Sequence, residues 1–341
     1  MSSVRTTTRS GTKRKRATDD KLVKKVKPDD RKIKDFFLTN GTIVAATAKR
    51  VRQEENESDN RIPLFSDQCP VHIGCSGYSY RGWHSNNYYP PKHGAKKEFQ
   101  YYSKEFDSVE INSTFYNIPA DSVFVDWSKR VPRPSFRYII KVNKYFTHMK
   151  LLNQDDEFIS RWNDFYRKCQ LLGSSLGPIL FQLPPRFKYT NATLAQLNRL
   201  ETVLPKTAQF VFEFRNTSWF TDEVYQVLRK NNWCLCVVDC YGGWCGDLAN
   251  GMTPRDPDVH LTCDWALYYR FHGKTGQYMG SYGKNSMKNY AQIATKHLDT
   301  HPNLQLYFYF NNTDNEHPPS AIKDSRHLAD AFKELDIIAT D

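Results

Sequence analysis

This chain of 341 residues contains neither a long apolar run nor an apolar leader. No stretch approaches the roughly 20 residues that a membrane-spanning helix needs. The N-terminus is charged and has no apolar segment of the kind that a secretory signal peptide carries. We therefore expect no membrane partner and no secretion.

Cysteine is sparse, with eight residues in the whole chain. That density is too low to indicate a disulfide framework in a chain of this length. Cys234, Cys236, Cys240 and Cys245 lie close together, but they lack the CxxC pair typical of a structural zinc site. We expect mostly reduced, buried thiols, as in a cytosolic or nuclear protein.

The chain also lacks the dense motifs of two large enzyme classes. No glycine-rich phosphate-binding loop follows any strand-like run, which disfavours an open dinucleotide-binding sheet. No HExxH pair is present, so a divalent metal cofactor is indicated only by scattered side chains of suitable chemistry. These metal-ligand candidates are His148, Glu213, Asp239 and His272.

The positive charge of the chain is concentrated near its N-terminus. The formal net charge is +11, and residues 1–52 hold 16 Lys and Arg against 5 Asp and Glu, which accounts for all of it. The other 32 basic and 32 acidic residues cancel. Residues 1–66 are also poor in apolar residues, so we predict a disordered basic tail that adds salt-sensitive affinity for nucleic acid.

A cluster of cations in this tail predicts where the protein is located. Lys13, Arg14, Lys15 and Arg16 are adjacent, as in the signals that nuclear import receptors bind through acidic grooves. The alternative is an ordinary solvated basic segment. We expect a nuclear location.

Two adjacent aromatic residues interrupt the polar tail. Phe36 and Phe37 follow Ile33 at the spacing of one helical turn, which suits a short helix that fills a hydrophobic pocket on a partner. The motif resembles the PCNA-interacting box of replication and repair proteins and predicts a sliding-clamp partner. Asp30 stands at the position of the usual glutamine.

From Val71 onward, strand-like runs alternate with amphipathic helical stretches, the pattern of βα units around a parallel sheet. The predicted strands are 71–75, 108–112, 137–142, 178–182, 209–214, 234–239, 266–271 and 305–310. The predicted helices include 95–106, 121–131, 155–172, 191–203, 221–231, 287–299 and 319–335. Eight units predict an α/β fold, a (β/α)8 TIM barrel, over residues 67–341. A doubly wound open sheet is the alternative.

Three of the strand-like runs end in two polar residues that are separated by one position. The pairs are Glu110 with Asn112, Glu213 with Arg215, and Arg270 with His272. Residues i and i+2 of a strand point to the same face, so each pair directs two functional groups to one side of the sheet. The neighbouring aromatic residues should point the other way, beneath the helices. They are Phe212, Phe214, Tyr269 and Phe271.

Six segments of the chain match the motifs of a known family in order and spacing. They read GCSGYSYRGW, VEINSTFY, LGPILFQLPPRF, FEFRNTSWF, YRFHG and YFYFNN. Together they resemble the YecE-like family, also called domain of unknown function 72. The resemblance covers roughly residues 71–335 and implies a TIM-barrel fold, and it implies no particular reaction.

Active sites of TIM barrels lie at the carboxyl ends of the strands, so the candidate residues are expected there. The catalytic candidates are Glu110, Glu213 and His272. The substrate-binding candidates are Tyr78, Asn112, Lys141, His148, Gln182, Arg215, Trp219, Arg270 and Asn311. Cationic side chains suit phosphate or carboxylate oxygens, and aromatic rings stack on bases or sugars. An ion-pair network that only holds the mouth together is the structural alternative.

These residue types favour an anionic, ring-bearing substrate. Our leading hypothesis is a nuclear enzyme that acts on a phosphorylated or nucleic-acid substrate, with phosphodiester hydrolysis in DNA processing as the reaction. The second hypothesis is a small-molecule enzyme that acts on a sugar phosphate or nucleotide. The third is a non-catalytic binding module.

Overall fold

The structure is a computed structural model that describes residues 69–242, 248, 253 and 261–338. The predicted tail, with its cation cluster at 13–16 and its aromatic motif at 33–37, lies outside these residues. Within them, no helix is both long and apolar enough to cross a membrane.

Eight parallel strands form one sheet in the order β1-β8-β7-β6-β5-β4-β3-β2, with helices between them. The strands are β1 Val71–Cys75, β2 Ser108–Ile111, β3 Arg137–Lys141, β4 Leu176–Gln182, β5 Phe210–Glu213, β6 Cys234–Asp239, β7 Ala266–Phe271 and β8 Gln305–Phe310. This sheet is a nearly closed (β/α)8 barrel, so the predicted TIM-barrel fold is confirmed.

The helices of the described residues surround the barrel. They are α1 Ala95–Glu105, α2 Ser113–Tyr116, α3 Asp121–Lys129, α4 Asp156–Gln170, α5 Asn191–Arg199, α6 Asp222–Lys230, α7 Gly283–Thr300 and α8 Ser320–Glu334. Side-chain oxygens begin two of them: Asp155 caps α4, and Thr190 forms a capping box at α5. The short α2 was not expected from the sequence, because four residues are too few to show a helical period.

Strands β1 and β2 are the two ends of the strand order and meet at the seam of the barrel. The Tyr102 hydroxyl of α1 bridges them. It accepts from the Cys75 N–H at 2.7 Å and donates to the Ser108 carbonyl at 2.9 Å. A Cβ atom at Gly74 would lie 2.4 Å from the same carbonyl oxygen, so this close approach requires glycine.

Side chains alternate between the barrel interior and the layer beneath the helices. The interior core includes Ile139, Leu180, Val211, Cys236, Tyr268 and Tyr309. The core shared with the helices includes Phe212, Phe214, Tyr269 and Phe271, so their predicted outward orientation is confirmed. Residues one position away along the same strands, among them Glu213 and Arg270, therefore point inward.

The cysteines of the described residues are mostly reduced thiols, as expected. Those that are free are Cys69, Cys75, Cys169, Cys234, Cys236 and Cys263. Cys240 is disulfide-bonded.

Candidate active site

The centre of the barrel mouth is a buried ion-pair network around Arg270, at the end of β7. Nε and Nη2 of Arg270 donate to the two carboxylate oxygens of Glu110 at 2.9 and 2.5 Å, and Nη1 donates to Glu213. Arg270 is 1% exposed and both carboxylates are 0% exposed. One guanidinium thus joins carboxylates from β2 and β5 across the barrel.

A second arginine extends this network from the end of β5. Nε of Arg215 donates to Glu213, and Nη2 lies 3.0 Å from Nε2 of His272. A guanidinium has no acceptor atom, so Nε2 of His272 accepts and the ring proton lies on Nδ1. Nδ2 of Asn311 lies 3.1 Å from Nδ1 of His272; because an N–H needs an acceptor, a flip of the Asn311 amide that exchanges its nitrogen and oxygen places Oδ1 to accept this proton.

The protonation states in this network follow from its burial and its arginines. Burial acts to raise the pKa of Glu213, but Arg215 and Arg270 outweigh it and hold the pKa of this carboxyl well below its ordinary range. Burial, together with Arg215 and Arg270, holds the pKa of His272 well below its ordinary value. At neutral pH, Glu213 is therefore ionised and His272 is neutral.

Two neutral side chains complete the environment of Glu110. The Ser76 hydroxyl and the Tyr268 hydroxyl each donate to its carboxylate at 2.8 Å. With the two bonds from Arg270, Glu110 accepts four hydrogen bonds. A buried carboxylate satisfied in this way holds the groups that bond to it in place.

Lys141 lies at the end of β3 on the inward face and is half-buried. Its Nζ lies 4.5 Å from the centroid of the Phe115 ring. Within the described residues, Nζ makes no hydrogen bond and no ion pair. Burial, reinforced by the nearby Arg270, lowers the pKa of Lys141 to about 7. This lysine therefore differs from the paired arginines beside it.

His148 lies next to Lys141 on a single π-helical turn, Tyr145–Met149, that follows β3. Its ring meets the Phe115 ring edge-on at 4.9 Å, and its Nδ1 lies 2.9 Å from the Thr147 hydroxyl. Burial and then Lys141 lower the pKa of His148 to about 4, so the ring is neutral at pH 7. Single π turns of this kind are frequent at functional sites.

Two exposed tyrosines stand at the rim of the mouth. Tyr116 ends α2 just beyond β2 and is 63% exposed, and Tyr278 lies in the loop after β7 and is 38% exposed. Tyr278 has a φ of 58°, which is uncommon for an aromatic residue, and its N–H donates to the His272 carbonyl at 2.9 Å. Its ring lies 6.5 Å from that of His272. Strained backbone of this kind concentrates at functional sites.

Asn112 and Gln182, two of the predicted binding residues, bond to backbone at the strand ends. Nδ2 of Asn112 donates to the Ser76 carbonyl at 3.2 Å, and Nε2 of Gln182 donates to the Leu183 carbonyl at 2.8 Å. Both side chains are half-buried and line the mouth. Asn112 also links β2 to the residue that follows β1, across the seam.

Two aromatic residues predicted to bind substrate are packed elsewhere. Trp219 is 0% exposed: its indole N–H donates to the Phe187 carbonyl at 2.6 Å and its ring stacks on Phe214 at 4.8 Å. Tyr78 packs edge-on against Phe99 of α1 at 5.3 Å. Apolar neighbours cover the Trp219 ring completely, so it is not open to a substrate in this structure, whereas Tyr78 is half-buried and its role in binding stays a prediction.

The residues proposed for a metal do not come together. Asp239 points outward from the barrel, where its carboxylate accepts from the Tyr290 hydroxyl of α7 at 2.5 Å. Glu213 is occupied by two arginines. In the part of the chain that the structure describes, no group of three or more His, Cys, Asp or Glu is placed to hold a metal ion. Within the described residues, these donors therefore do not form a site for a divalent metal.

Sequence reasoning missed three residues of this site, namely Tyr268, Phe115 and Tyr278. Tyr268 had a signal, because it precedes Arg270 by two positions and so shares its inward face. Tyr278 lies between Gly276 and Gly280, a composition typical of a tight loop that displays a side chain. Phe115 had no such signal, because its contact with Lys141 depends on how β2 and β3 pair.

Comparisons with known proteins support the fold. The family described as "Protein of unknown function DUF72" matches residues 72–338. The UPF0759 protein YunF of Bacillus subtilis (strain 168) is 27% identical over 214 residues, which are 61% of this chain and 71% of YunF.

Two solved structures of DUF72 family proteins show the same fold. TM1631 from Thermotoga maritima MSB8 is 24% identical with a TM-score of 0.63, over 78% of this chain and 99% of that chain. EF0366 from Enterococcus faecalis V583 is 16% identical with a TM-score of 0.62, over 80% of this chain and 97% of that chain. Because the family match spans well over half of the sequence and includes every strand of the barrel except the first residue of β1, this chain belongs to the DUF72 family.

Proposed function

We propose that this protein is an enzyme that acts on a phosphorylated substrate, and that the substrate is nucleic acid cleaved at a phosphodiester. One observation carries the proposal: three cations and two carboxylates meet at the mouth, and the third cation, Lys141, forms no ion pair within the described residues. Arg215 and Arg270 neutralise Glu110 and Glu213, which leaves a net charge of +1 when Lys141 is protonated. A phosphate supplies the missing negative charge.

The low pKa of Lys141 agrees with an anion-binding mouth. Burial is its main cause, and the positive charge of Arg270 adds to it. A bound phosphate would reverse the effect of that charge and raise the pKa of the lysine again. Lysine is a common ligand of phosphate oxygens, which it binds as a point charge.

The aromatic rim favours a substrate with bases over a bare phosphate. Tyr116 at the end of α2 and Tyr278 in the loop after β7 are both exposed. Burial is the main cause of the raised pKa of Tyr278, and the proximity of Tyr116 adds to it. Exposed aromatic rings are elements on which the bases of single-stranded nucleic acid stack.

The proposed roles differ between the two sides of the mouth. Glu110, Glu213 and His272 hold the arginines in place, while Lys141 contacts a phosphoryl oxygen. In hydrolysis, water attacks phosphorus as the bond to the leaving oxygen breaks. Neutral His148 accepts the proton of the water, and a solvent proton completes the leaving alcohol. The pKa of His148, about 4, makes it a weak base that is fully available at neutral pH.

The same proposal extends to the basic tail, on the support of the sequence alone. The cations at 13–16 would bind a nuclear import receptor, and Ile33, Phe36 and Phe37 would contact a sliding clamp. The remaining Lys and Arg residues of the tail would add salt-dependent affinity for DNA. The barrel would then need little charge of its own to hold a long substrate.

The burial of Arg215 and Arg270 favours the alternative substrate, a free sugar phosphate. Arg215 is 7% exposed and His272 is 1% exposed, so only a small group reaches them. A free sugar phosphate fits such a site without the aromatic rim. The two substrate classes therefore differ in whether they need Tyr278.

The test compares the full chain with Lys141→Met, Tyr278→Ala and Lys144→Met. Single-stranded, nicked and duplex oligonucleotides are assayed for binding by fluorescence anisotropy and for cleavage on gels. Loss of one stacked base should weaken single-strand binding of Tyr278→Ala by about 1–3 kcal/mol. Lys141→Met should abolish cleavage, and the exposed Lys144→Met should change it little.

Three outcomes would contradict parts of the proposal. Equal cleavage by wild type and Lys141→Met would remove the mouth from the reaction. Binding of a sugar phosphate that is unaffected by Tyr278→Ala, with no DNA binding, would favour the small-molecule enzyme. DNA binding without cleavage under any condition would favour a non-catalytic module.

The tail is tested by removing residues 1–60. The truncated protein should lose nuclear accumulation, and the dependence of DNA affinity on salt should become shallower. A matched variant with Ile33, Phe36 and Phe37 replaced by alanine keeps the basic charge and should lose only the clamp contact. Unchanged DNA affinity after truncation would contradict the nucleic-acid role of the tail.

A further inference from the structure

Lys141 has the geometry of a reactive amine. It extends from the end of β3 into the barrel mouth, where it is half-buried and still open to solvent. Its Nζ lies over the face of Phe115 at 4.5 Å, and no carboxylate within the described residues forms an ion pair with it. A lysine that served only as a structural cation would be expected to have such a partner, because an unpaired buried charge is costly.

The surroundings of Lys141 favour the neutral form of the amine. Burial comes first and the charge of Arg270 second, and together they lower its pKa to about 7. Desolvation and a neighbouring cation are the two means by which proteins activate a nucleophilic lysine. At neutral pH a far larger fraction of the Lys141 side chains than of an ordinary lysine therefore carries a free electron pair on nitrogen.

We propose that Lys141 is a nucleophile that forms an imine with the aldehyde of a phosphorylated sugar. The phosphate part of this statement rests on the proposed function, because the same positive mouth would hold it. Two sources provide this chemistry: a free sugar phosphate, and the ring-opened sugar of an abasic nucleotide in DNA. An intact nucleotide has no aldehyde, because its sugar carbon is bonded to the base.

The reaction balances without a further reagent. The neutral amine of Lys141 attacks the carbonyl carbon, a C–N bond forms, the nitrogen gives up one proton to a nearby base, and the carbonyl oxygen takes up one proton from solvent. The carbinolamine then loses its hydroxyl as water when the C–O bond breaks, and a protonated imine remains. Addition of water reverses the sequence and frees the lysine.

His148 is placed to move the protons of this reaction. Its ring lies against the edge of the same Phe115 that supports Lys141, at 4.9 Å. The lysine is near enough to be the second cause, after burial, of the low pKa of His148. Neutral His148 can accept the proton that the amine loses as the carbinolamine forms, and then return it to the departing hydroxyl.

The experiment is reductive trapping with borohydride, which converts an imine into a stable secondary amine. The full-length protein is mixed with deoxyribose 5-phosphate in one arm and a single-stranded oligonucleotide with one abasic site in the other. Unphosphorylated deoxyribose and an intact oligonucleotide serve as matched controls. The adduct is quantified by mass spectrometry and located by peptide mapping.

Three variants separate the amine from the charge. Lys141→Arg keeps the positive charge but cannot form an imine under these conditions, and Lys141→Met removes both. Lys144→Met changes the exposed lysine three residues away. We expect the adduct to map to Lys141, to fall at least tenfold in both Lys141 variants and to persist in Lys144→Met. Thermal melts establish that the variants are folded.

The outcomes distinguish this inference from the proposed function. An adduct found only with the abasic oligonucleotide identifies DNA as the source, and one found only with deoxyribose 5-phosphate identifies a free sugar. No adduct in either arm, or equal trapping in Lys141→Arg, would overturn the imine, while DNA cleavage by the same samples would leave the proposed function standing. An adduct at Lys141 without preference for the phosphorylated sugar, and without cleavage, would support the imine and contradict the proposed function.

Discussion

The two sides of the barrel mouth differ in whether their charged side chains form ion pairs. On the side formed by β2, β5 and β7, Arg270 and Arg215 meet Glu110 and Glu213 in a network that is at most 7% exposed. On the β3 side, Lys141 has no anionic partner within the described residues and is half-buried. Both sides consist of residues at strand ends, yet only one of them is electrically satisfied.

This difference indicates which groups are free to react. A carboxylate that accepts several strong hydrogen bonds keeps its orientation fixed, so it serves as a scaffold. A cation near other cations, without a partner, has a lowered pKa and gains free energy when an anion or an electrophile arrives. The paired side thus creates the potential that tunes Lys141 on the unpaired side.

The largest loss of folding stability should come from replacing Arg270, the centre of the ion-pair network. Arg270→Met leaves two buried carboxylates without their shared guanidinium, which should cost about 3–5 kcal/mol of the free energy of unfolding. Chemical denaturation measures this loss. The control is Arg161→Met, which removes an exposed pair with Glu157 and should cost under about 1 kcal/mol. Equal losses in the two variants would show that the network is not the structural centre of the mouth.

A smaller loss of folding stability is expected when the ion-pair network is weakened but Arg270 is kept. Glu213→Gln keeps one acceptor oxygen, so only one of Arg215 and Arg270 retains its bond, and it removes the negative charge, which should cost about 2 kcal/mol at pH 7. The control is Glu201→Gln, which alters an exposed pair with Lys230. A loss in Glu213→Gln no larger than in the control would contradict a role for this charge.

The pH dependence gives this second prediction a sharper form. The pKa of Glu213 in the folded state lies below its ordinary value, so its contribution to stability is present above the unfolded pKa of about 4.5 and is lost as pH falls toward the folded pKa. Stability measured from pH 6 to pH 2 should therefore fall more steeply in wild type than in Glu213→Gln. Parallel curves would mean that Glu213 is not held ionised by its arginines.

The paired side of the mouth also shows which features of the site can be predicted from the sequence. The spacing of Glu213 and Arg215, and of Arg270 and His272, predicts which face they share, because alternation along a strand is a local property. It cannot predict that Arg270 bonds to Glu110, 160 residues away, since that contact depends on closure of the barrel. An ordered set of polar strand ends therefore predicts a site without predicting its pairs.

The sequence also does not predict which aromatic ring near the mouth is exposed. Trp219 and Tyr278 both follow strands, and the sequence alone favours the larger tryptophan as a substrate contact. The structure buries Trp219 between Phe187 and Phe214 and leaves Tyr278 exposed at the rim. Burial is decided by the neighbours that a loop meets in three dimensions, so residue type alone does not identify the ring that is free to stack.

The smallest expected change in folding stability is a gain, and it comes from replacing Lys141 on the β3 side of the mouth. The pKa of Lys141 is about 7 in the folded state and about 10.5 when unfolded, so between these values the unfolded chain binds more protons. Stability from this group therefore rises as pH increases from 7 to 10.5, and the full deficit is present below pH 7. Lys141→Met removes the deficit and should stabilise the protein by about 1–2 kcal/mol at pH 7, after allowance for the partial exposure of the side chain.

Denaturation at pH 7 and at pH 10 measures this prediction, with Lys144→Met as the exposed control. The gain from Lys141→Met should shrink between the two pH values, while Lys144→Met should show no such change. A destabilised Lys141→Met variant would mean that the lysine stem packs on Phe115 as a structural element, and the contrast between the two sides of the mouth would fail. A more stable but inactive variant would mean that the fold keeps an unpaired lysine at the expense of stability, which is the pattern expected of a residue retained for its chemistry.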